Sequence, residues 1–202
     1  WPVRAAGGAA VSGRNLTAIR RGADSKTPMA SMLWIGTRKG LFSLRPDTRR
    51  RVWRLAGPQL LGHIVHHVVQ DPREPRRLVM GAKTGHLGPT VYTSADRGRS
   101  WKEAATPPAF RKAADGEKPR AVERVFWLTP GHSSEPGVWY AGSSPAGLFR
   151  SDDHGVHWRP VAGFNDHPMN AKWAAGLRTP DGELLHSVRV DPRDAQVDLG
   201  EV

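Results

Sequence analysis

Cysteine is absent from this 202-residue sequence, so disulfide bonds and thiolate metal sites are excluded. Long apolar runs are also missing, and none approaches the roughly 18 residues that a membrane-spanning helix requires. No continuous apolar segment follows the N-terminus, so the sequence shows no secretory signal. We therefore expect no membrane span, and we leave the compartment undetermined with the cytoplasm favoured.

Acidic residues are few relative to basic ones, with 19 Asp and Glu against 30 Lys and Arg and a formal net charge of +11. The excess is concentrated in residues 1–51, which hold eleven basic and two acidic side chains. No aromatic or recognition motif accompanies this stretch, so we interpret it as solvated charge. We expect no nucleic-acid partner.

The first 31 residues show no sustained period of 2 or 3.6 and only scattered apolar side chains. The chain begins with Trp1, whereas Met29 and Met32 stand just before the first clear strand pattern. We predict a disordered basic extension over residues 1–31 and interpret it as upstream sequence outside the mature protein.

Glycine and proline are plentiful, at 22 and 17 residues, and are spread through the chain, which favours short strands joined by turns. One pattern recurs at residues 33–42, 78–85 and 139–149. Each copy is a short apolar run that ends in Gly and a small residue, then a turn with a second Gly. Because Gly accepts the positive φ that tight turns require, the pattern predicts β-hairpins.

Two of these hairpins continue into the motif Ser-x-Asp-x-Gly-x-x-Trp. The Asp side chain accepts hydrogen bonds from backbone N–H groups of its own turn, Gly tolerates the left-handed position, and Trp packs beneath the turn. In the first copy the pattern is reduced to Ser43, Asp47 and Trp53, and the three Trp residues are 48 and 57 positions apart. The intact motifs are Ser94, Asp96, Gly98 and Trp101, and Ser151, Asp153, Gly155 and Trp158.

A further apolar stretch that ends at proline precedes each repeat, at residues 66–72, 124–130 and 186–192. Four strands per unit predict an all-β fold, namely a partial β-propeller of four-stranded antiparallel blades over residues 32–192. Two blades are complete and two are incomplete. The complete blades cover 64–104 and 122–161, and the incomplete ones are three strands at 33–55 and a single strand at 185–190.

A closed ring of six to eight blades needs about 270–360 residues at the usual repeat length. We therefore expect a truncated chain, in which residues 193–202 form an aberrant tail that departs from the blade pattern.

The repeated motif resembles the Asp box of BNR-repeat propellers, which sialidases, xyloglucan-degrading glycosidases, sortilin-type receptors and photosystem II assembly factors share. The resemblance covers residues 32–192. More narrowly, Gly85–Thr90 and Asn165–Pro168 are similar to bacterial exo-sialidase-like or glycosyl-hydrolase-like BNR proteins. Fold alone does not define chemistry, so the site has to be argued separately.

This resemblance implies that the motif residues are structural, because Asp boxes lie on the face opposite the ligand site. Ligands are then expected at the other face, where the loops between blades and the hairpin turns meet. The bound partner is expected to be a carbohydrate or a protein. The predicted ligand-binding residues are Lys39, His63, Lys83, His86, Asn165, Asp166, His167 and Trp173.

Catalysis is disfavoured because the parts of a sialidase site are missing. The resembling enzymes use three arginines, a Tyr–Glu pair, an acid/base Asp and an Arg-Ile-Pro motif, whereas Tyr92 and Tyr140 here fall inside predicted strands. We therefore predict a noncatalytic binding scaffold without a cofactor. The alternative is a fragment of a carbohydrate-active hydrolase, with its carboxylate pair drawn from Glu123, Asp166, Asp181 and Glu183.

The histidines at positions 63, 66 and 67 do not predict a metal site. Adjacent residues of a strand point to opposite faces, so His66 and His67 are not expected to share a ligand. We expect no metal.

Overall fold

The computed structural model describes residues 32–170, 183–185 and 187–193. The predicted extension at 1–31, Trp173, Asp181 and the predicted tail after Arg193 lie outside the described residues.

Three antiparallel sheets follow one another along the chain, and in each of them every strand pairs with the next strand in sequence. The longest helix in the described part of the chain is the four-residue α1, Ala162–Asn165. The first sheet contains β1 (Leu33–Thr37), β2 (Gly40–Pro46) and β3 (Trp53–Gln59); the second contains β4 (Ile64–Gln70), β5 (Leu78–Thr84), β6 (Gly88–Ser94) and β7 (Lys102–Glu103); the third contains β8 (Arg124–Pro130), β9 (Trp139–Ser144), β10 (Gly147–Ser151) and β11 (Arg159–Pro160).

The core consists of two apolar layers on opposite faces of the second sheet. Successive residues of β5 alternate between the layers, as a strand with both faces covered requires. Met80 lies in the layer shared with Leu41 of the first sheet, and Val79 lies in the layer that contains Trp139 and Phe149 of the third. The sheets are therefore stacked face to face, and the fold is an all-β partial β-propeller, as the sequence predicted.

One glycine contact repeats between successive sheets and explains their close packing. A methyl group placed on Gly36 would lie 2.9 Å from the carbonyl oxygen of Val65, and one on Gly81 would lie 2.7 Å from that of Val125. Gly142 makes the same approach to the carbonyl of Leu185. Only glycine leaves room for the first strand of the next unit at this position.

The structure corrects the sequence alignment of the strands that begin each unit. Val65 pairs with Ala82, and Val125 pairs with Ser143 at the equivalent register. Asp71 therefore corresponds to Gly131, not to Thr129, and Pro130 is still inside β8. The proline was a misleading marker because it terminates one strand and is tolerated at the end of another.

The single strand predicted at 185–190 is also corrected. Leu185 donates its N–H to the Ser143 carbonyl at 2.9 Å, yet residues 185 and 187–190 form no strand. The physical reason is that no strand in the described part of the chain forms a backbone hydrogen-bond ladder with them.

Candidate functional site

The two Ser-x-Asp-x-Gly-x-x-Trp segments, residues 94–101 and 151–158, form similar turns that we call the box turns. Asp96 Oδ1 accepts the backbone N–H groups of Arg99 at 3.0 Å and Ser100 at 2.9 Å. Asp153 Oδ1 accepts those of Val156 at 3.1 Å and His157 at 2.9 Å. Each carboxylate therefore bonds amides of its own turn, as the sequence predicted.

The serine and the tryptophan of each box turn complete the arrangement. Ser94 Oγ and Ser151 Oγ accept the N–H of Gly98 and Gly155 at 2.8 and 2.9 Å, where both glycines have positive φ. Trp158 is buried and donates its indole N–H to the Gly155 carbonyl. Trp101 donates its indole N–H to Gln59 Oε1 at 2.7 Å instead. The serine and aspartate side chains of both turns are thus bonded within their own turn.

At the opposite end of β10 from its box turn, a side chain of the long 161–184 connection is fixed in place. Asn165 is buried, its Oδ1 accepts the Leu148 N–H at 2.9 Å, and its amide donates to the Leu148 carbonyl at 2.7 Å. Leu148 lies at the start of β10, whereas the box turn begins at its end with Ser151. Residues 162–170 therefore lie at the end of the sheets opposite the box turns.

A groove of about 580 Å³ is found at this end, and we call it the loop groove. Its walls are the connection between β7 and β8 and the segment that follows β11. Its lining residues are Phe110, Arg111, Ala113, Glu117, Lys118, Arg120, Pro160, Asn165, Asp166, His167, Pro168, Asn170 and Glu183.

Arg111 joins the two walls of the loop groove through its guanidinium. It binds both carboxylate oxygens of Glu117, at 2.8 and 3.1 Å, and Asp166 Oδ1 at 3.1 Å. The hydrogen bonds from Arg111 and from the Ala114 amide lower the pKa of Glu117 to about 2. At neutral pH this carboxylate holds no proton to donate.

Arg120 forms a second cross-link between the walls. Its guanidinium carbon lies 4.0 Å from the centre of the Phe110 ring, and its N–H groups donate to the carbonyls of Asn165 at 3.0 Å and Ala146 at 2.7 Å. Such a cation–π contact together with two hydrogen bonds fixes the side chain and orients the loop around it.

The predicted ligand-binding residues are distributed over several loops. Asn165, Asp166 and His167 line the loop groove together. The remaining four described residues do not line it. Lys39 lies in the β1–β2 turn, Lys83 inside β5 near its end, His86 in the β5–β6 turn, and His63 just before β4 with Nε2 3.0 Å from the Tyr92 hydroxyl.

The 104–123 connection supplies most of the groove wall that sequence analysis missed. Its contribution includes Phe110, Arg111, Glu117, Lys118 and Arg120. A connection of this length without regular structure is itself a signal for a binding loop, and an aromatic residue followed by charges strengthens it.

The clustered histidines serve packing. His67 stacks on Trp127 with ring centres 4.5 Å apart, and its Nδ1 accepts the Leu128 N–H at 2.9 Å. Burial lowers the pKa of both His66 and His67. Across the described residues, no group of three His, Asp or Glu side chains is arranged to hold a metal ion. Nor does that part of the chain contain a helix long and apolar enough to cross a membrane.

The chain matches no family model and no curated protein sequence. Among solved structures it is similar to the GH74 xyloglucanase from Xanthomonas campestris, at 26% identity over 78% of this chain and 22% of that chain, with a TM-score of 0.48. It is also similar to the GH74 enzyme from Niastella koreensis, at 14% identity over 63% of this chain and 21% of that chain, with a TM-score of 0.40. The similarity to YCF48, solved with a D1 peptide bound, is 15% identity over 65% of this chain and 40% of that chain, with a TM-score of 0.40. The chain thus spans about a fifth of each GH74 structure and two fifths of YCF48.

Proposed function

We propose that this chain is a noncatalytic β-propeller scaffold that binds a ligand in the loop groove, at the end opposite the box turns. The observation that carries the proposal is that Arg111 pairs with two of the three acidic groups that line the groove. Glu117 and Asp166 are both bound by Arg111, and the pKa of Glu117 is far below the range that a general acid at neutral pH needs.

The groove is held in shape before any ligand arrives. Arg120 ties one wall to the carbonyls of Asn165 and Ala146, and Asn165 is in turn bonded to the backbone of β10. A preformed site loses little conformational entropy on binding, which favours affinity from a modest number of polar contacts.

The lining charges are balanced, which bears on the class of ligand. Three basic side chains line the groove beside three acidic ones, so it presents no field of one sign: Arg111, Lys118, Arg120, Glu117, Asp166 and Glu183. A polyanion such as nucleic acid requires a basic surface. The groove is better suited to a ligand held by hydrogen bonds, namely a carbohydrate or a polar protein segment.

A hydrolase fragment is the second candidate, and one observation favours it. Glu117 and Asp166 approach a single guanidinium from both walls, and Glu183 lines the same groove. A glycosidase site requires two carboxyl groups on either side of the bound sugar, and several carboxylates around one groove can supply them. This reading requires one of them to be protonated during turnover.

The test is binding measured by calorimetry against a panel of neutral oligosaccharides and of polar peptides, with release of reducing ends followed in parallel. Asp166→Asn is expected to weaken binding of any ligand found in the panel by about tenfold, since it removes the charge that pairs with Arg111 and replaces one acceptor oxygen by a donor. The matched control is Arg99→Leu, an exposed change in a box turn, which should leave binding unchanged.

Binding without turnover supports the scaffold. Reducing ends released by the parent chain and abolished by both Asp166→Asn and Glu117→Gln would replace it with the hydrolase. Binding that survives Asp166→Asn but fails in Arg99→Leu would overturn the placement of the site.

A further inference from the structure

The first sheet presents an apolar face away from the rest of the molecule. Leu33, Leu44 and Leu55 are directly opposite one another across its three strands, so their side chains share one face. Leu33 is 51% exposed and Leu55 64%, and Ile35 and Trp53 on the same face are also exposed. We call this the outer face. An exposed apolar surface of this kind marks an interaction site.

The edge of the same sheet is open. In the second and third sheets the strand that begins the unit, β4 or β8, pairs with the following strand. In the first sheet, β1 is the edge, and no strand of the described chain pairs with its free side. An unpaired edge beside an apolar face can accept a further strand.

A segment suited to that edge lies at the other end of the stack. Leu185 approaches Gly142 in the same way that Val65 and Val125 approach Gly36 and Gly81. The Val188 carbonyl accepts the Thr129 hydroxyl at 2.8 Å. Residues 187–190 therefore lie where the first strand of a following unit would stack on the third sheet, while no strand of the described residues pairs with them.

An arginine contact between sheets is likewise present within the molecule and left incomplete at its two ends. Between the second and third sheets, Arg73 is 12% exposed, is paired with buried Asp71, and donates to four carbonyls of the 131–138 loop. Asp191 and Arg193 repeat this ion pair at 2.7 and 3.0 Å, but the Arg193 side chain is 86% exposed. Its guanidinium, paired with Asp191, is exposed to solvent beyond the third sheet.

Arg73 fills a space between the second and third sheets. The equivalent space between the first and second sheets is an open cavity of about 650 Å³. Asp71, Pro72 and Leu78 line it, and they correspond to Gly131, His132 and Trp139, which surround Arg73. One end of the molecule thus presents the arginine of an inter-sheet contact, and the other end presents the cavity that such an arginine would occupy.

We propose that two copies of this chain associate head to tail, with Ser187–Val190 of one copy pairing along β1 of the next and Arg193 entering the cavity beside its Asp71–Arg77 loop. The interface continues the contact already present twice within the chain. It is heterologous, so repeated association leads to a closed ring of two or more copies or to an open oligomer.

The register follows from the two existing sheets. Val68 pairs with Met80, and Leu128 pairs with Ala141 at the equivalent position. Val188 of one copy is therefore placed opposite Ile35 of the next. Opposed residues of antiparallel strands have Cα atoms about 4.5–5.5 Å apart, which is within the range of a disulfide bond.

The absence of cysteine makes this register directly testable. Ile35→Cys and Val188→Cys proteins are prepared separately, mixed and oxidised, and the products are separated without reducing agent. We expect the mixed disulfide to exceed each homodisulfide, and the double variant to form a ladder of covalent multimers. The matched control replaces Ile35→Cys by Leu55→Cys, a more exposed position on the same face but away from the β1 edge, and should give no preference.

Light scattering tests the arginine contact independently. The parent chain is expected to show a mass that rises with concentration, and Arg193→Met to weaken association by about tenfold or more. Arg49→Met, an exposed arginine in the β2–β3 turn, is the control. Because Arg45, Arg97 and Arg99 also line the cavity, association should weaken at low ionic strength.

A strictly monomeric parent chain at 100-fold varied concentration, or a mixed disulfide no more abundant than the Leu55→Cys control, would overturn the proposal.

Discussion

Arg73→Met tests whether the stacked sheets are held together by a buried guanidinium. The Arg73 side chain links the Asp71 carboxylate, at 2.9 Å to each oxygen, to carbonyls of a loop that lies 58 to 65 residues further along the chain. Methionine preserves most of the apolar stem and removes every one of these bonds. Asp71 is then left buried with a charge and without its partner.

The expected loss is about 3–5 kcal/mol of unfolding free energy, which is the usual cost of removing one member of a buried ion pair. Domains of this size are stabilised by about 5–15 kcal/mol, so the variant should be close to its unfolding threshold. The eight tryptophans allow the urea transition to be followed by fluorescence.

The pH dependence distinguishes the charge from the packing. Burial acts to raise the pKa of Asp71, but the hydrogen bonds and charge of Arg73 outweigh it, and the pKa is lowered from 3.8. The contribution to stability is therefore present above pH 3.8 and is lost as the pH falls through the folded-state pKa. In Arg73→Met the unpaired carboxyl has a raised pKa, so the difference between parent and variant should shrink between pH 7 and pH 4.

Arg193→Met is the matched control, because it removes the same Asp-Pro-Arg ion pair where the side chain is exposed. At concentrations low enough to keep the chain monomeric, it should leave the transition unchanged. Equal destabilisation by the two substitutions, or a loss below about 1 kcal/mol for Arg73→Met, would refute the argument from burial.

Three further outcomes are expected. Asp153→Ala should lower the unfolding free energy by about 1 kcal/mol, since two amides of its turn lose their acceptor; unchanged urea midpoints would contradict this. Gly81→Ala should cost about 1–3 kcal/mol by overlap with the next sheet, whereas Gly85→Ala, which meets nothing within 4 Å, should be neutral in the same assay. Burial lowers the pKa of His67 from 6.5, so the parent loses stability as pH falls below 6.5; His67→Asn, whose Oδ1 can still accept the Leu128 amide, should flatten that profile, and an unaltered profile would assign the titration elsewhere.

Local patterns in the sequence were sufficient to predict the hairpins and the box turns. Asp96 and Asp153 bond amides only three and four residues ahead, so all the atoms involved are contained in one short motif. The short apolar run of β5, which ends in Gly and a small residue, likewise predicts a strand from neighbouring residues alone. The all-β propeller assignment rests on such short-range information.

The candidate site was only partly predictable. Asn165, Asp166 and His167 line the loop groove in the structure, and they were singled out as part of a polar loop. Arg111 and Arg120 on the facing wall were not, since their partners Asp166 and Asn165 are 55 and 45 residues away. The ligand-binding role of all these residues remains a prediction.

The amino-acid sequence by itself determined the strands, the turns and their repeat, because each depends on bonds and steric limits within a few residues. Only the tertiary structure decided the register of β8, the clamp made by Arg73 and the walls of the loop groove. All three features depend on which distant segments become neighbours when the sheets stack. The residue types of a local motif do not specify such a long-range partner. Arg73 and Arg193 share the same local motif and ion pair, yet one is buried against the next sheet and the other is exposed.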